Sequence, residues 1–124
     1  MSAALTRLER LEDLHALLAQ TADRPLLIYK HSLTCGSSAW AFDELRGHLH
    51  AVPAGADYAM VAVQTHRDLS DEVARRLGVR HETPQVILVR DGRAVWSASH
   101  FRVTAAAVDQ ALAAHLVEAP LRAS

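Results

Sequence analysis

The chain has 124 residues, half of them hydrophobic, and its 13 basic side chains nearly cancel 14 acidic ones to leave a formal charge of -1. At about 150 residues per domain this is one domain, able to bury roughly two-thirds of its unfolded surface and so to fold without disulfides or a structural metal. The scattered, balanced charge offers no basic footprint for nucleic acid or an anionic membrane, and the single cysteine, Cys35, excludes an internal disulfide and points to a reducing compartment.

The N-terminal stretch interleaves charges with leucines rather than running apolar, which lacks the pattern of a signal peptide and sets a cytoplasmic expectation. No run approaches the 18 or so apolar residues of a membrane span. Leu5, Leu8, Leu11, Leu14, Leu17 and Leu18 recur at helical spacing. Thr6 with Glu9 fits a capping box, so a helix is expected over 5–20 with Thr6 at its start. The core then spans 25–117 and a short tail 118–124.

Asp23-Arg24-Pro25 ends that helix, and Leu26-Leu27-Ile28-Tyr29 is a short apolar run suited to a strand buried on both faces. Lys30 to Thr34 lead to a second helix from Cys35 to about Leu49, with Ala39, Phe42, Leu45 and Leu49 expected inward. After a turn over Val52 to Ala56, Tyr58–Val63 reads as a second strand. Ser70 is expected to cap a third helix over 70–77, with Asp71 and Glu72 in its first turn, Arg75 and Arg76 in its last, and Gly78 as its left-handed stop. Gln85–Val89 and Arg93–Ala98 flank Asp91-Gly92, the preferred pair for a two-residue hairpin turn. Thr104 caps a last helix to about Leu116, with Val108 and Leu112 inward.

The order α-β-α-β-α-β-β-α predicts a layered α/β domain around a four-stranded mixed sheet. Two crossover connections imply that the first three strands are parallel and the fourth antiparallel. Such folds carry function at the carboxyl ends of their parallel strands, and Cys35 lies in the loop leaving the first of them. A cysteine in the first turn of a helix meets free amides and the positive end of the dipole, which favour the nucleophilic thiolate. Lys30 and His31 add positive potential if their loop folds over the sulfur. Ser38, one helical turn on, is placed to donate a hydrogen bond to it.

The stretch Tyr29-Lys-His-Ser-Leu-Thr-Cys35-Gly-Ser-Ser38, with His81-Glu-Thr-Pro-Gln-Val86 and Ser97-Ala-Ser-His100, resembles the bacillithiol-system YtxJ family. The likeness covers about residues 25–112 and implies a thioredoxin-like fold, a general-stress role and a monothiol site in which Cys35 is catalytic and Ser38 stands in the resolving position. Gly36 departs from the proline commoner there, and Cys-Gly-Ser-Ser is also similar to the Cys-Gly-Phe-Ser of monothiol glutaredoxins. The resemblance implies substrate contacts from Lys30, His31, Thr34, Gly36, Thr83 and Pro84, with Thr83-Pro84 cis against the cysteine; spacing alone reads that pair as a turn before a strand. Lys30 is expected to meet a carboxylate of the small thiol, and His81, Glu82 and Gln85 to flank the bound partner.

With no second cysteine, any exchange cycle must borrow a thiol from outside. The expected function is therefore thiol-disulfide exchange on bacillithiolated proteins, with bacillithiol as low-molecular-weight thiol co-substrate and no tightly bound cofactor. The alternatives are an iron-sulfur cluster carrier of glutaredoxin type and a non-catalytic binding module. Among the histidines, His48 and His50 are expected to complement a helix dipole, His15 and His115 to be solvated or half-buried. His66 is expected near the active face, and no histidine spacing marks a metal site. Trp40 and Trp96 are expected to pack, with Trp40 bordering the site.

Overall fold

The computed structural model describes residues 5–34, 36–51 and 55–116. The reactive candidate Cys35, the first part of the turn expected at 52–56 and the tail from 117 onward lie outside the described residues. The chain runs β1 (Thr6–Arg7), α1 (Leu11–Ala19), β2 (Leu26–His31), α2 (Gly36–Ala51), β3 (Asp57–Ala62), α3 (Arg67–Leu77), β4 (Gln85–Arg90), β5 (Arg93–Ser99) and α4 (Ala105–Leu116). Short 3₁₀ turns follow α1 at Gln20–Ala22 and β5 at His100–Arg102.

The strands form one sheet in the order β1-β3-β2-β4-β5. Alternation along each strand divides the core in two, because successive side chains leave opposite faces. Leu27, Tyr29, Tyr58, Met60, Val86 and Leu88 pack under Leu45, Leu49, Val108 and Leu112 of α2 and α4. Leu26, Ile28, Ala59, Val61, Ile87 and Val89 pack under Leu14, Leu18, Leu69 and Val73 of α1 and α3. Both faces are covered, which is why β2 reads as an unbroken apolar run.

Several expectations are corrected. The sheet has five strands, because Thr6 and Arg7 pair parallel with Ala59 and Met60. Leu8 follows into the core, fully buried, with its N–H on the Met60 carbonyl at 2.9 Å. The backbone groups at the edge of β3 thus claim the residues that the leucine spacing assigned to a helix. α1 starts only at Leu11, where Asp13 rather than Glu9 closes the cap by accepting the Arg10 N–H.

The third expected strand is not parallel. β4 runs antiparallel to β2, with Lys30 opposite Gln85 and Leu26 opposite Val89. Residues 78–84 cause the reversal: instead of entering the sheet at the end where β2 begins, they return the chain to the end where β2 stops. Gly78, at φ +64° with its N–H on the Ala74 carbonyl, closes α3 and starts that return.

The third helix starts at Arg67, and Ser70 is a buried residue within it rather than its cap. In α2 the inward residues include Ser38, Ala41, Leu45 and Leu49, with Phe42 half-buried, whereas Ala39 faces solvent. The hairpin is as expected: Asp91 and Gly92 both take positive φ, 54° and 73°. Thr21 clasps that turn, accepting the Gly92 N–H on its hydroxyl at 2.8 Å and the Asp91 N–H on its carbonyl at 2.9 Å. Thr104 caps α4 through the Ala107 N–H at 3.1 Å. Among the described residues, no helix is long and apolar enough to cross a membrane.

Candidate active site

Because β2 and β4 are antiparallel, the loop leaving β2 and the loop entering β4 emerge at the same end of the sheet. The first carries Ser32, Leu33 and Thr34 and leads into α2. The second carries His81, Glu82, Thr83 and Pro84. Thr83-Pro84 is cis, as the resemblance implied. Pro84 is buried and its carbonyl accepts the His100 N–H at 2.9 Å, tying this segment to the end of β5.

The loop flanking position 35 is held from both sides. Ser38 is fully buried and its hydroxyl oxygen accepts the Ser32 N–H at 3.2 Å. From the other side Gln64, in the turn after β3, accepts the Leu33 N–H at 3.0 Å. Its Nε2 donates to the Ser32 hydroxyl at 2.7 Å and the Thr34 hydroxyl at 3.1 Å. One amide therefore spans three consecutive loop residues. Thr34 and Gly36 are exposed, and the space where a Cβ on Gly36 would lie is open, so a partner can approach across the start of α2.

Tyr29, beneath the loop, donates its hydroxyl to the Ser38 carbonyl at 3.0 Å and meets His31 Nδ1 at 2.7 Å. With the tyrosine proton committed to a carbonyl, His31 must donate from Nδ1. Burial, aided by the charge of Arg7, holds the His31 pKa below its usual value, so the ring is neutral at pH 7. His31 thus supplies a hydrogen-bonding imidazole here and not the positive potential expected of it.

Lys30 is also placed differently from the expectation. It points to the α3 face, follows Leu26 and Ile28 inward, and is fully buried. Its Nζ donates to the Ser70 carbonyl and to His81 Nδ1, both at 3.1 Å. Ser70 adds its hydroxyl to the same Nδ1 at 3.1 Å, so His81 carries its proton on Nε2. Burial lowers the Lys30 pKa to about 8, against the opposing charge of Asp71. Burial, with Lys30 as the next cause, also lowers that of His81. A surface contact between Lys30 and a substrate carboxylate is not offered by this geometry, because its aliphatic stem is packed in the core and its ammonium is engaged. Its reach to the surface is through His81, which with Gln64, Arg67, Ser70 and Asp71 lines a pocket of about 320 Å³.

The remaining polar candidates divide. His66 is the residue before α3, and its ring Nδ1 meets the hydroxyl of its neighbour Thr65 at 2.9 Å. His100, at φ +55°, faces Glu82 at 3.2 Å. His48 and His50 lie in the last turn of α2, as expected, and His48 is also buried between Tyr58 and Asp109, far from this end of the sheet. Trp40 stands edge-on to the exposed Phe101, ring centroids 5.3 Å apart, and Trp96 packs on the core.

Residues 6–108 match the family model described as monothiol bacilliredoxin BrxC. The chain belongs to the monothiol bacilliredoxin family. That bears out the resemblance drawn from the residues around Cys35. The solved structure of a proposed oxidoreductase with a thioredoxin fold is similar, at 29% identity and a TM-score of 0.76, over 86% of this chain and 92% of that one. Thioredoxin from Fasciola hepatica, at 16% identity and TM-score 0.71, covers 89% of this chain and 98% of its own. Thioredoxin NaTrxh from Nicotiana alata, at 12% and 0.73, covers 93% and 95%. These two show the fold, which is that of thioredoxin.

This bacilliredoxin-family chain therefore has a thiol redox function on a thioredoxin fold, and its sequence holds a single cysteine. Sequence reasoning missed Gln64, Tyr29 and Ser70 as parts of the site. The signal for Gln64 was its position just past a strand ending level with β2. Tyr29 and Ser70 looked like a core aromatic and a helix cap.

Proposed function

We propose that this protein removes a small thiol of the bacillithiol type from protein mixed disulfides through Cys35. The reading is carried by the single cysteine in a chain of the monothiol bacilliredoxin family, with Ser38 where a dithiol protein would hold its second sulfur. In the first step the Cys35 thiolate attacks the small-thiol sulfur of the mixed disulfide. The old S–S bond breaks, the protein thiolate leaves and takes up a proton, and Cys35 carries the small thiol in a new disulfide. A second small thiol, as thiolate, then attacks that adduct, forming the oxidised small-thiol dimer and restoring the Cys35 thiolate. The net result is one protein thiol regenerated for two small thiols joined.

The surroundings support this cycle in two ways. The Ser38 hydroxyl is buried and bonded to the loop, so it cannot compete for the adduct. Thr34, Gly36 and the partly exposed Thr83 provide the approachable face on which both partners would rest, while Lys30 and His31 act from beneath it.

Mass spectrometry after incubation with a bacillithiolated protein tests the reading. Transfer of the adduct mass to Cys35 is expected, with the partner appearing as free thiol; wild type indistinguishable from Cys35→Ala would sink it. The pH dependence of alkylation adds a check, with a midpoint expected below the unperturbed value near 8.5.

A further inference from the structure

Among the described residues two that bear a side chain take positive φ, Asp91 and His100. At Asp91 the hairpin turn demands it. At His100, the first residue of the 3₁₀ turn after β5, no hairpin does. Glycine takes this backbone freely, whereas a residue with an imidazole takes it at a cost. Outliers of this kind persist where several contacts fix them, and they gather at functional sites.

The contacts of His100 converge on the segment that enters β4. Its N–H donates to the Pro84 carbonyl at 2.9 Å, and its Nε2 meets Glu82 Oε1 at 3.2 Å. The Ser99 hydroxyl first, then His100 and Arg80, hold the Glu82 carboxyl below its usual value. Glu82 is therefore ionised at pH 7 and accepts, which makes Nε2 the donor. One residue thus bonds both neighbours of Thr83, its backbone to one and its imidazole to the other. The next residue, Phe101, stands edge-on to Trp40, ring centroids 5.3 Å apart, and the 3₁₀ turn packs on α2. Thr83, itself partly exposed, is held between these anchors at the end of the sheet where the loop before α2 emerges.

We infer that His100 is a positioning residue: its imidazole, through Glu82, fixes Thr83 as a resting place for the protein half of the mixed disulfide. A glycine at 100 would relax the backbone and keep the N–H to Pro84, yet it would release Glu82. The imidazole is thus the part of this residue that the strained backbone serves. The link to a protein partner rests on the function proposed above, whereas the bracing of Thr83 does not.

Two variants separate this role from a merely structural one. His100→Gly relaxes the backbone and removes the imidazole. His100→Gln keeps a donor at a reach similar to that of Nε2 and keeps the cost of the backbone. Function should follow the donor, and stability the backbone. With a bacillithiolated protein as substrate, His100→Gly should raise KM about ten-fold and change kcat by less than about two-fold. His100→Gln should return KM to within about three-fold of wild type, although its urea midpoint should lie below that of His100→Gly.

A second readout needs no thiol. In ¹⁵N relaxation the Glu82 and Thr83 amides should be more mobile in His100→Gly than in wild type or His100→Gln. An unchanged KM in His100→Gly, a KM that worsens as the urea midpoint falls across the two variants, or amides equally rigid in all three proteins would overturn the inference. Loosened amides in His100→Gly with no adduct transfer by wild type would remove the exchange reading and leave the bracing of Thr83 standing. Adduct transfer by wild type with KM indifferent to His100→Gly would do the reverse.

Discussion

Two polar networks are buried at opposite ends and on opposite faces of the sheet, and they are finished to different standards. Near the start of β2, His48 lies between Asp109 and Tyr58, joining α2, α4 and β3. Burial and the Asp109 charge raise the Tyr58 pKa to about 12, so its hydroxyl stays protonated, and it is hydrogen-bonded to Nε2 at 2.9 Å. Nδ1 then donates to the carboxylate, which reaches solvent. Every polar atom of that ring is matched. Near the end of β2, beside the site, the buried Lys30 ammonium has two neutral partners, a carbonyl and an imidazole. The lesson is that the distant network is built to hold helices together, whereas the one under the site keeps a charge that the fold does not fully compensate. Departures of this kind are expected where structure serves chemistry.

The comparison can be broken most severely at His48. His48→Ala should cost about 2–4 kcal/mol in urea unfolding, because it leaves the Tyr58 hydroxyl buried and unpaired and opens a gap between three elements. Cys35 alkylation should be unchanged, and a parallel fall in reactivity would show that the two networks are not separate. Lys30→Met should act in the opposite direction, stabilising the chain by about 1–3 kcal/mol at pH 7 as an apolar chain replaces an imperfectly paired ion.

The pH dependence of that gain has a defined sign. The folded-state pKa of Lys30 is near 8, below its ordinary value of 10.5, so between those values the unfolded chain binds more protons and wild-type stability rises with pH. The advantage of Lys30→Met should be full below pH 8 and gone by about pH 10.5. Denaturation curves at pH 7, 9 and 10.5 that differ by a constant amount would refute the uncompensated charge. A smaller effect is expected of Gln64→Ala, which removes three bonds from the loop at an exposed position. Stability should fall by about 1 kcal/mol, while adduct transfer slows several-fold. Thr104→Ala, which removes the cap of α4 and no bond to the loop, should cost about 1 kcal/mol or less and leave transfer untouched.

Much of the fold was legible because it depends on local rules. The hairpin followed from Asp91-Gly92, the end of α3 from Gly78, and the start of α4 from Thr104. What was illegible depended on distant partners. Leu8 fits a helical stripe as well as a strand end, and only the open edge of β3 decides between them. The direction of β4 turns on where residues 78–84 deliver the chain, which periodicity does not encode. At the site, the loop residues were recognisable from their motif. The role of Lys30 was not, because sequence proximity to a reactive loop does not tell which face of a strand a side chain takes. Gln64 was hidden for the same reason, separated from Leu33 by 31 positions.

The pairing of the central strands carries a further consequence for how the molecule comes into being. Leu26 meets Val89, and Lys30 reaches His81 across 51 positions. Contacts of such long range are slow to form, since the chain must first close a large loop. A ribosome-bound chain that has emerged only through α3 holds Cys35 but has no β4, no His81 and no Pro84 segment. The loops on either side of position 35 therefore gain their partners across the sheet only with the last third of the chain, so the end of the sheet that carries them is completed last.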